Sequence, residues 1–183
     1  IHGIEQIPYL THENLWKLNE LPGAMLIVGA GPVGIEMAQA FARLGSQVTV
    51  VEKSPRVLLR DPQEASELIN RHLVAEGIRF LCGGELVSFP TSTTAEIKVS
   101  DRVVQQRFDK ILIATGKELV HKHLDLANAG IRVEGEHLKI DSYLRTTNKR
   151  VYVCGDAVGH FSLTHLAELH ASVILWNLFS PVK

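Results

Sequence analysis

The stretch MLIVGAGPVGIEMAQAF, residues 25–41, joins a short apolar run to a helical pattern through three closely spaced glycines. The apolar run predicts a buried parallel strand over 24–28 that ends at Gly29. Pro32 suits the first turn of a helix because it has no N–H to lose. Apolar residues then recur at three- and four-residue spacing up to Gly45, the predicted C-cap. The stretch therefore predicts a strand, a tight turn and a helix.

Two further strand and helix signals follow this unit. QVTVV is apolar and β-branched, which predicts a second strand. DPQE predicts a helix start, with Asp61 as N-cap, the proline at the first helical position and Glu64 as the capping-box acid. Gly77 is predicted to end that helix, and IRFL to form a third strand. Alternating strands and helices of this kind require right-handed crossovers and a parallel sheet.

Beyond the third strand the pattern changes. GELVSFP, TAEIKVS and RVVQQRF alternate apolar and polar side chains, which predicts an antiparallel meander. KILIAT then predicts a buried parallel strand, IRVEGEHLKI a hairpin and RVYVCGD another buried strand. A last helix is predicted from about Thr164 to Phe179. Residues 1–23 are predicted to be a connecting segment with a short helix around Glu13 to Leu18. The predicted fold class is α/β, a Rossmann-like parallel sheet with a β-meander crossover.

The composition is that of an ordinary globular protein. The 183 residues are 45% hydrophobic and 21% charged, with a formal net charge of -1. This balance gives no bulk electrostatic signal for a nucleic-acid or membrane partner, and no apolar run approaches the roughly 18 residues of a membrane span. Cys82 and Cys154 form no CxxC pair and are predicted to be small buried residues at strand ends. No signal peptide is visible, so we expect a cytoplasmic protein.

The three glycines form a G-x-G-x-x-G pattern that follows a predicted strand and precedes a predicted helix. Gly29 permits the tight turn, Gly31 leaves room for a pyrophosphate to approach the backbone, and Gly34 lets helix and strand pack closely. The helix N-terminus offers unpaired N–H groups to phosphates. The second strand ends in Glu52, and the unit from Met25 to Glu52 has about the 30 residues expected of a dinucleotide-binding motif.

Glu52 also bears on the choice of cofactor. A carboxylate at this position accepts hydrogen bonds from ribose hydroxyls and repels a 2′-phosphate, which favours NAD(H) over NADP(H). Lys53 and Arg56 follow closely, and they either soften that repulsion or are solvated loop cations. Glu36 is interpreted in two ways, as an acid placed in the first helical turn by the dipole or as a functional residue.

The motifs taken together resemble those of the flavin-dependent pyridine nucleotide-disulfide oxidoreductases, which include dihydrolipoamide dehydrogenase, glutathione reductase and mercuric reductase. The resemblance rests on the strand–helix–strand unit, the meander, ILIATG and TTNKRVYVCGDAVG, in that order. The ending GDAVG…LTHLAELHASVILWNLF is most similar to the mercuric-reductase-like branch. The likeness extends over essentially the whole chain.

This resemblance implies a division of the chain and a role for individual residues. Residues 24–116 correspond to the NAD(H)-binding domain and 117–183 to the incomplete C-terminal half of an FAD-binding domain. Glu36 would lie near the nicotinamide as a catalytic acid. The implied NAD-binding set is Gly29, Gly31, Pro32, Val33, Gly34, Ile35, Glu36, Glu52, Lys53 and Gly116. The implied FAD-binding set in the full-length enzyme is Gly155, Asp156, Thr164, His165, Leu166 and Ala167.

The chain also departs from the family pattern. The redox-active cysteine pair, the first FAD-binding glycine motif and the dimerisation domain with its catalytic His-Glu pair are absent from residues 1–183. After Gly116 the usual arginine and proline-asparagine run is replaced by KELVHKH. We therefore expect a fragment that retains an NAD(H) site but neither holds FAD nor turns over a disulfide. The full-length protein is expected to be a homodimer.

Two other functions remain open from the sequence. An NADH oxidase or ferredoxin reductase would share both nucleotide domains and lack the disulfide. A non-catalytic NAD-binding module is the second alternative, although Asp156 and its following helix have no purpose there.

Nine histidines raise the question of a metal site. His165 and His170 lie about 140° apart on a helix of 3.6 residues per turn, so they do not share a face. The other clustered histidines are His121, His123 and His160, and we predict no metal site. The last helix is expected to expose Ile174, Leu175, Trp176 and Phe179, so that this half is poorly ordered or covered by another copy of the chain.

Overall fold

The computed structural model describes residues 3–117, 120, 121, 123–159 and 163–180, except for the side chain of Thr164. The chain divides into two compact units, Ile1–Gly116 and Lys117–Lys183. Elements of the first unit are, in chain order, β1 (Tyr9–Leu10), β2 (Ala24–Val28), α1 (Pro32–Leu44), β3 (Gln47–Glu52), α2 (Gln63–Ala75), β4 (Arg79–Cys82), β5 (Gly84–Thr91), β6 (Thr94–Val99), β7 (Arg102–Arg107) and β8 (Lys110–Ile113). Elements of the second unit are β9 (Val133–Glu134), β10 (His137–Leu138) and α3 (Thr164–Phe179).

A five-stranded sheet forms the centre of the first unit. Its strand order is β1-β8-β2-β3-β4, and every neighbouring pair is parallel. Strands β5, β6 and β7 form a separate antiparallel meander, with Ile97 of β6 opposite Leu86 and Val104. The predicted Rossmann-like parallel sheet and meander are therefore confirmed.

Side chains of the central strands alternate between two cores, which explains their continuous apolar sequence. Met25 and Ile27 of β2 pack in the cluster that includes Leu73 and Ile78. Leu26 of β2 lies in the opposite cluster, together with residues of the meander. The sheet is thus covered by helices on one face and by the meander on the other.

The segment expected to be a connection contributes to the sheet. Tyr9 of β1 pairs with Ile111 of β8, and Leu15 is buried. The helix predicted around Glu13 to Leu18 is reduced to one 3-10 turn, Leu15–Lys17. The Asn14 side chain accepts a hydrogen bond from the Thr11 N–H at 2.7 Å, a local contact that competes with helix formation.

In the first unit, the helix end predicted from a glycine is correct, whereas the helix start predicted from a side-chain cap is not. Gly45 is the C-cap of α1 and has a φ of 112°, as predicted. The predicted cap of α2 is wrong, because the N-cap is Pro62 and no side chain caps the helix. Asp61 instead belongs to the preceding loop, where its N–H donates to the Leu58 carbonyl at 2.9 Å.

The second unit is built from a hairpin, bridges and one helix. The predicted hairpin is present as β9 and β10, and α3 has the predicted bounds. RVYVCGD forms no strand among the described residues, since its only pairing is the bridge between Tyr152 and Arg145. A strand needs a partner over several residues, and an apolar run cannot specify one. Val153 is nevertheless buried, in a small cluster with Leu144 and Val158.

Candidate nucleotide-binding site

Three stretches singled out from the sequence meet at one edge of the parallel sheet. Gly29 follows β2, Glu52 ends β3 and Gly116 lies just after β8. Because β2 pairs in parallel with both β3 and β8, the carboxyl ends of all three strands lie at this edge. Ligands of open α/β sheets bind at the carboxyl ends of the strands.

Two glycines of the turn are required by close approach. Gly29 has a φ of 104°, and a Cβ built on it would lie 2.5 Å from the Ala114 carbonyl oxygen. A Cβ on Gly34 would collide with the Gly29 carbonyl oxygen. The first and third glycines therefore let β2, α1 and the residue after β8 pack against each other.

The middle glycine faces open space. Gly31 is the N-cap of α1, and nothing lies within 4 Å of the position that its Cβ would occupy. No side chain caps the helix, and the N–H groups of its first turn have no intrahelical acceptor. The turn therefore presents bare main chain and a positive dipole end, as anion binding requires.

Glu52 is fixed against this turn by two main-chain hydrogen bonds. Its Oε2 accepts from the Ala30 N–H at 2.7 Å, and its Oε1 accepts from the Ser54 N–H at 2.7 Å. Partial burial acts to raise the pKa of Glu52, but the hydrogen bonds from Ala30 and Ser54 outweigh it and lower that pKa. A carboxylate has about four acceptor positions, so Glu52 can still accept from a further donor.

Two cations near Glu52 have separate partners. Lys53 is exposed and its Nζ lies 3.3 Å from Glu85 Oε1. Arg56 turns back on its own loop and donates to the carbonyl oxygens of Leu58, Leu59 and Asp61. Neither sequence interpretation of Arg56 included these main-chain contacts.

Glu36 lies in the second turn of α1 rather than the first. The helix begins at Pro32, and its first turn holds no acid. The Glu36 side chain is exposed. The interpretation of Glu36 as a first-turn acid stabilised by the helix dipole is therefore wrong.

The second unit contains the residues of the predicted flavin site. Asp156 lies in the 3-10 helix Gly155–Val158, and its Oδ2 accepts from Lys117 Nζ at 3.0 Å. The Gly155 N–H donates to His170 Nδ1 at 3.2 Å. A Cβ on Gly155 would lie 3.3 Å from the Cβ of Ala167. The 3-10 helix and α3 are therefore in direct contact.

These residues fit a flavin site in part. Asp156 is half exposed and keeps Oδ1 for a hydroxyl donor. The main-chain donor at Gly155 is already used by His170. His165 is exposed at the start of α3, and Leu166 is half-buried. The side chain of Thr164 lies outside the described residues, as does His160.

Sequence comparison decides the family. A family model described as pyridine nucleotide-disulphide oxidoreductase matches residues 1–171. The chain belongs to this family. The oxidoreductase family assignment predicted from the motifs is thus confirmed.

Individual relatives in the pyridine nucleotide-disulphide oxidoreductase family agree with this assignment. The mercuric reductase of Bacillus cereus is 35% identical over 97% of this chain, which corresponds to 29% of that protein. The dihydrolipoyl dehydrogenase of Bacillus subtilis is 29% identical over 92% of this chain and 39% of its own length. The chain spans about a third of the curated relatives that it matches.

Solved structures of other proteins have the same fold over most of this chain. The HOCl-induced flavoprotein disulfide reductase RclA from Escherichia coli matches with a TM-score of 0.84 and 27% identity. That match covers 99% of this chain and 42% of RclA. LpdA from Mycobacterium tuberculosis matches with a TM-score of 0.75 and 26% identity, over 95% of this chain and 39% of LpdA.

Neither a metal cluster nor a membrane helix is found in the described part of this family member. It holds no group of three or more His, Cys, Asp or Glu side chains arranged for a metal ion. None of its helices has the length and apolar character needed to cross a membrane. Cys82 lies at the end of β4 as predicted, but it is only half-buried. Cys154 is exposed and precedes the 3-10 helix, so the prediction of a buried residue at a strand end is wrong for it.

Proposed function

We propose that residues 24–116 bind NAD(H) in preference to NADP(H), as one segment of a flavoprotein oxidoreductase. In the complete enzyme, hydride from NADH would reduce FAD, and the electron pair would pass to an active-site disulfide to give two thiols. The family membership supports the reaction class. Residues 117–183 would form part of the FAD-binding domain, and the complete enzyme would be a homodimer.

One observation carries the proposal for the nucleotide. The Glu52 carboxylate is held beside the bare main chain of Gly29–Gly31, where the N–H groups of α1 begin. A diphosphate on that main chain would bring its adenosine ribose towards the carboxylate. Both Nη atoms of Arg56 already donate to carbonyl oxygens, which leaves the 2′-phosphate of NADP(H) without this partner.

We assign the remaining roles from the same geometry and the resemblance. Glu36, exposed on α1, would face the nicotinamide as the catalytic acid. The turn and its surroundings would hold NAD(H) through Gly29, Gly31, Pro32, Val33, Gly34, Ile35, Glu52, Lys53 and Gly116. The flavin contacts in the complete enzyme would come from Gly155, Asp156, Thr164, His165, Leu166 and Ala167.

Residues 1–183 alone would neither retain FAD nor reduce a disulfide, since they contain one glycine-rich dinucleotide motif and no pair of cysteines near each other. Mixing the chain with FAD and separating free flavin on a desalting column tests this. Stoichiometric retention of yellow colour would contradict it.

Two alternatives make different predictions. An NADH oxidase or ferredoxin reductase would lack two cysteines four residues apart upstream of Ile1 in the native gene. A non-catalytic NAD-binding module would lack an upstream glycine-rich FAD motif. The family match over residues 1–171, which includes Asp156, favours the flavoprotein over the bare module.

Nucleotide titration of an isotope-labelled chain tests the NAD(H) site. NADH is expected to shift the amide signals of residues 29–36, and NADPH to bind more weakly. Glu52→Gln should reduce the preference for NADH roughly tenfold, because hydrogen bonds to a charged group are lost. Glu20→Gln, which removes an exposed carboxylate from the loop before β2, is the matched control. Unchanged amide signals at saturating NADH would refute the proposal.

A further inference from the structure

The loop between β3 and α2 is closed by one guanidinium. Arg56 donates from Nη1 to the Leu58 carbonyl oxygen at 3.1 Å. Its Nη2 donates to the carbonyl oxygens of Leu59 at 2.8 Å and Asp61 at 2.9 Å. A planar guanidinium can hold several acceptors in a fixed arrangement, which a lysine ammonium cannot. Arg56 therefore holds the loop at three carbonyl groups between Leu58 and Asp61.

This loop contains an unusual backbone conformation. Leu58 has a φ of 47°, in the left-handed region that non-glycine residues rarely adopt, and its side chain is buried. A conformation of this kind persists only where surrounding contacts determine it. Arg56 accounts for one such contact through the Leu58 carbonyl, and the Asp61 N–H donates to the same oxygen at 2.9 Å.

Leu58 in turn contacts the glycine-rich turn. Its N–H donates to the Ala30 carbonyl oxygen at 2.9 Å. The Ala30 N–H donates to Glu52 Oε2 at 2.7 Å. The peptide groups on both sides of Ala30 are thus hydrogen-bonded to β3 and to the loop that follows it. Ala30 is the residue between the first two glycines of the motif.

We propose that Arg56 is a positioning residue for the dinucleotide-binding turn. It acts through Leu58, whose N–H fixes the Ala30 carbonyl and hence the direction of the Gly31 main chain. Arg56 does not contact the nucleotide, since both Nη atoms donate to the loop. This inference rests on the proposed NAD(H) site. It also bears on the preference for NAD(H) over NADP(H), because the Arg56 cation, bonded to its own loop, is kept away from a 2′-phosphate.

The first test needs no nucleotide. Arg56→Gln and Arg56→Lys are compared with Arg60→Gln, which removes an exposed cation from the same loop. Amide hydrogen exchange reports the Leu58 N–H, which bonds Ala30, and the Ala30 N–H, which bonds Glu52. Both Arg56 variants should increase exchange at Leu58 at least about tenfold and shift the amide signals of Gly29–Gly31. Arg60→Gln should leave both unchanged. Thermal unfolding confirms that each variant is folded.

The second test separates positioning from direct contact. If the turn is no longer preorganised, every ligand that binds to it should bind more weakly by the same factor. The Kd for NADH and the Kd for NADPH should therefore both rise roughly tenfold in Arg56→Gln. Arg56→Lys should recover only part of the loss. A rise confined to NADPH would show that Arg56 binds the 2′-phosphate and would overturn the proposal.

The two proposals fail in different ways. If the wild-type chain binds neither nucleotide, the proposed NAD(H) site is wrong, and Arg56 has no nucleotide turn to position. If the wild type binds NADH and Arg56→Gln binds it equally well, the NAD(H) site stands and the positioning role is wrong. Unchanged exchange at Leu58 in a folded Arg56→Gln variant would also overturn the positioning role.

Discussion

Lys117 Nζ lies 3.0 Å from Asp156 Oδ2, so the residue directly after the stretch ILIATG is paired with the aspartate of the stretch TTNKRVYVCGDAVG. The sequence departs from the family pattern at this point, where KELVHKH replaces the usual run. The departure begins with a cation that contacts Asp156. Because Asp156 is the residue proposed to bind a flavin hydroxyl, Lys117 occupies one oxygen of the carboxylate that the flavin would meet.

This ion pair is expected to contribute little to stability. Both side chains are partly exposed, and exposed ion pairs contribute about 0–1 kcal/mol. A double-mutant cycle of Lys117→Met and Asp156→Asn, measured by urea unfolding, should give a coupling free energy in that range that decreases with salt. Lys139→Met, which removes the partner of Glu134 in the hairpin, should show no coupling to Asp156→Asn. A coupling well above this range would show that the pair holds the second unit together.

Gly31 and Gly34 should respond differently to the same added methyl group. Gly34→Ala should destabilise the chain by roughly 1–3 kcal/mol, as overpacking does, because its Cβ collides with the Gly29 carbonyl oxygen. Gly31→Ala should fold normally, since its Cβ meets open space, but bind NADH more weakly. Thermal unfolding and NADH titration of both variants measure the contrast. Equal stability of the two variants would contradict it.

Glu52 should make the stability of the first unit depend on pH. Its pKa is lowered below the ordinary 4.5, so it stabilises the fold above that pH, and the contribution is lost as pH falls through the folded pKa. In Glu52→Gln, the free energy of unfolding should be lower near neutral pH and should fall less steeply as the pH drops below 4.5. Urea unfolding at several pH values measures this, with Glu85→Gln as the control for removing one carboxylate. If the free energy of unfolding of Glu52→Gln fell with pH as steeply as that of the wild type, the hydrogen bonds from Ala30 and Ser54 would not be the cause of the pH dependence.

Helix α3 should cause residues 1–183 to self-associate. Leu175, Trp176 and Phe179 are 56%, 69% and 79% exposed, whereas Ile174, also expected to be exposed, packs partly against Val153 and Val158. Exposed apolar surface of this kind favours association. Trp176→Lys with Phe179→Lys should shift the light-scattering mass towards the monomer. Leu44→Lys, at an exposed leucine of α1, should not. A wild-type chain that is monomeric at high concentration would refute the prediction.

The fold was predictable where strands are buried on both faces and where glycines mark the ends of helices. Strands β2, β3 and β8 are buried on both faces, so their apolar runs are unbroken, and glycines mark the ends of both α1 and α2. RVYVCGD has the same apolar character but pairs with a single residue, because a sequence pattern cannot name the partner of a strand. The short strand β1 was missed because two residues are too few to show a repeating pattern of apolar and polar side chains.

The candidate site was predictable as far as it depends on local spacing. The glycines and Glu52 lie within one strand–helix–strand unit, and the structure brings them together. Arg56 and Leu58 could not be predicted, because their contacts depend on the tertiary path of a loop with no periodic pattern. The pairing of Lys117 with Asp156 joins residues 39 apart and has no local signal either.

The position of β8 between β1 and β2 has a consequence for the order of folding. β3 and β4 pair with strands close to them in the chain, and the meander is made of neighbouring hairpins. β8 must instead insert between β1 and β2, and the Asp109 side chain just before it bonds the Ala24 N–H across 85 residues. Since pairings between distant parts of the chain form late, we expect β8 and the adjoining Ala114 to become ordered last. Pulse-labelled hydrogen exchange should therefore protect the Val50 amide before that of Leu112.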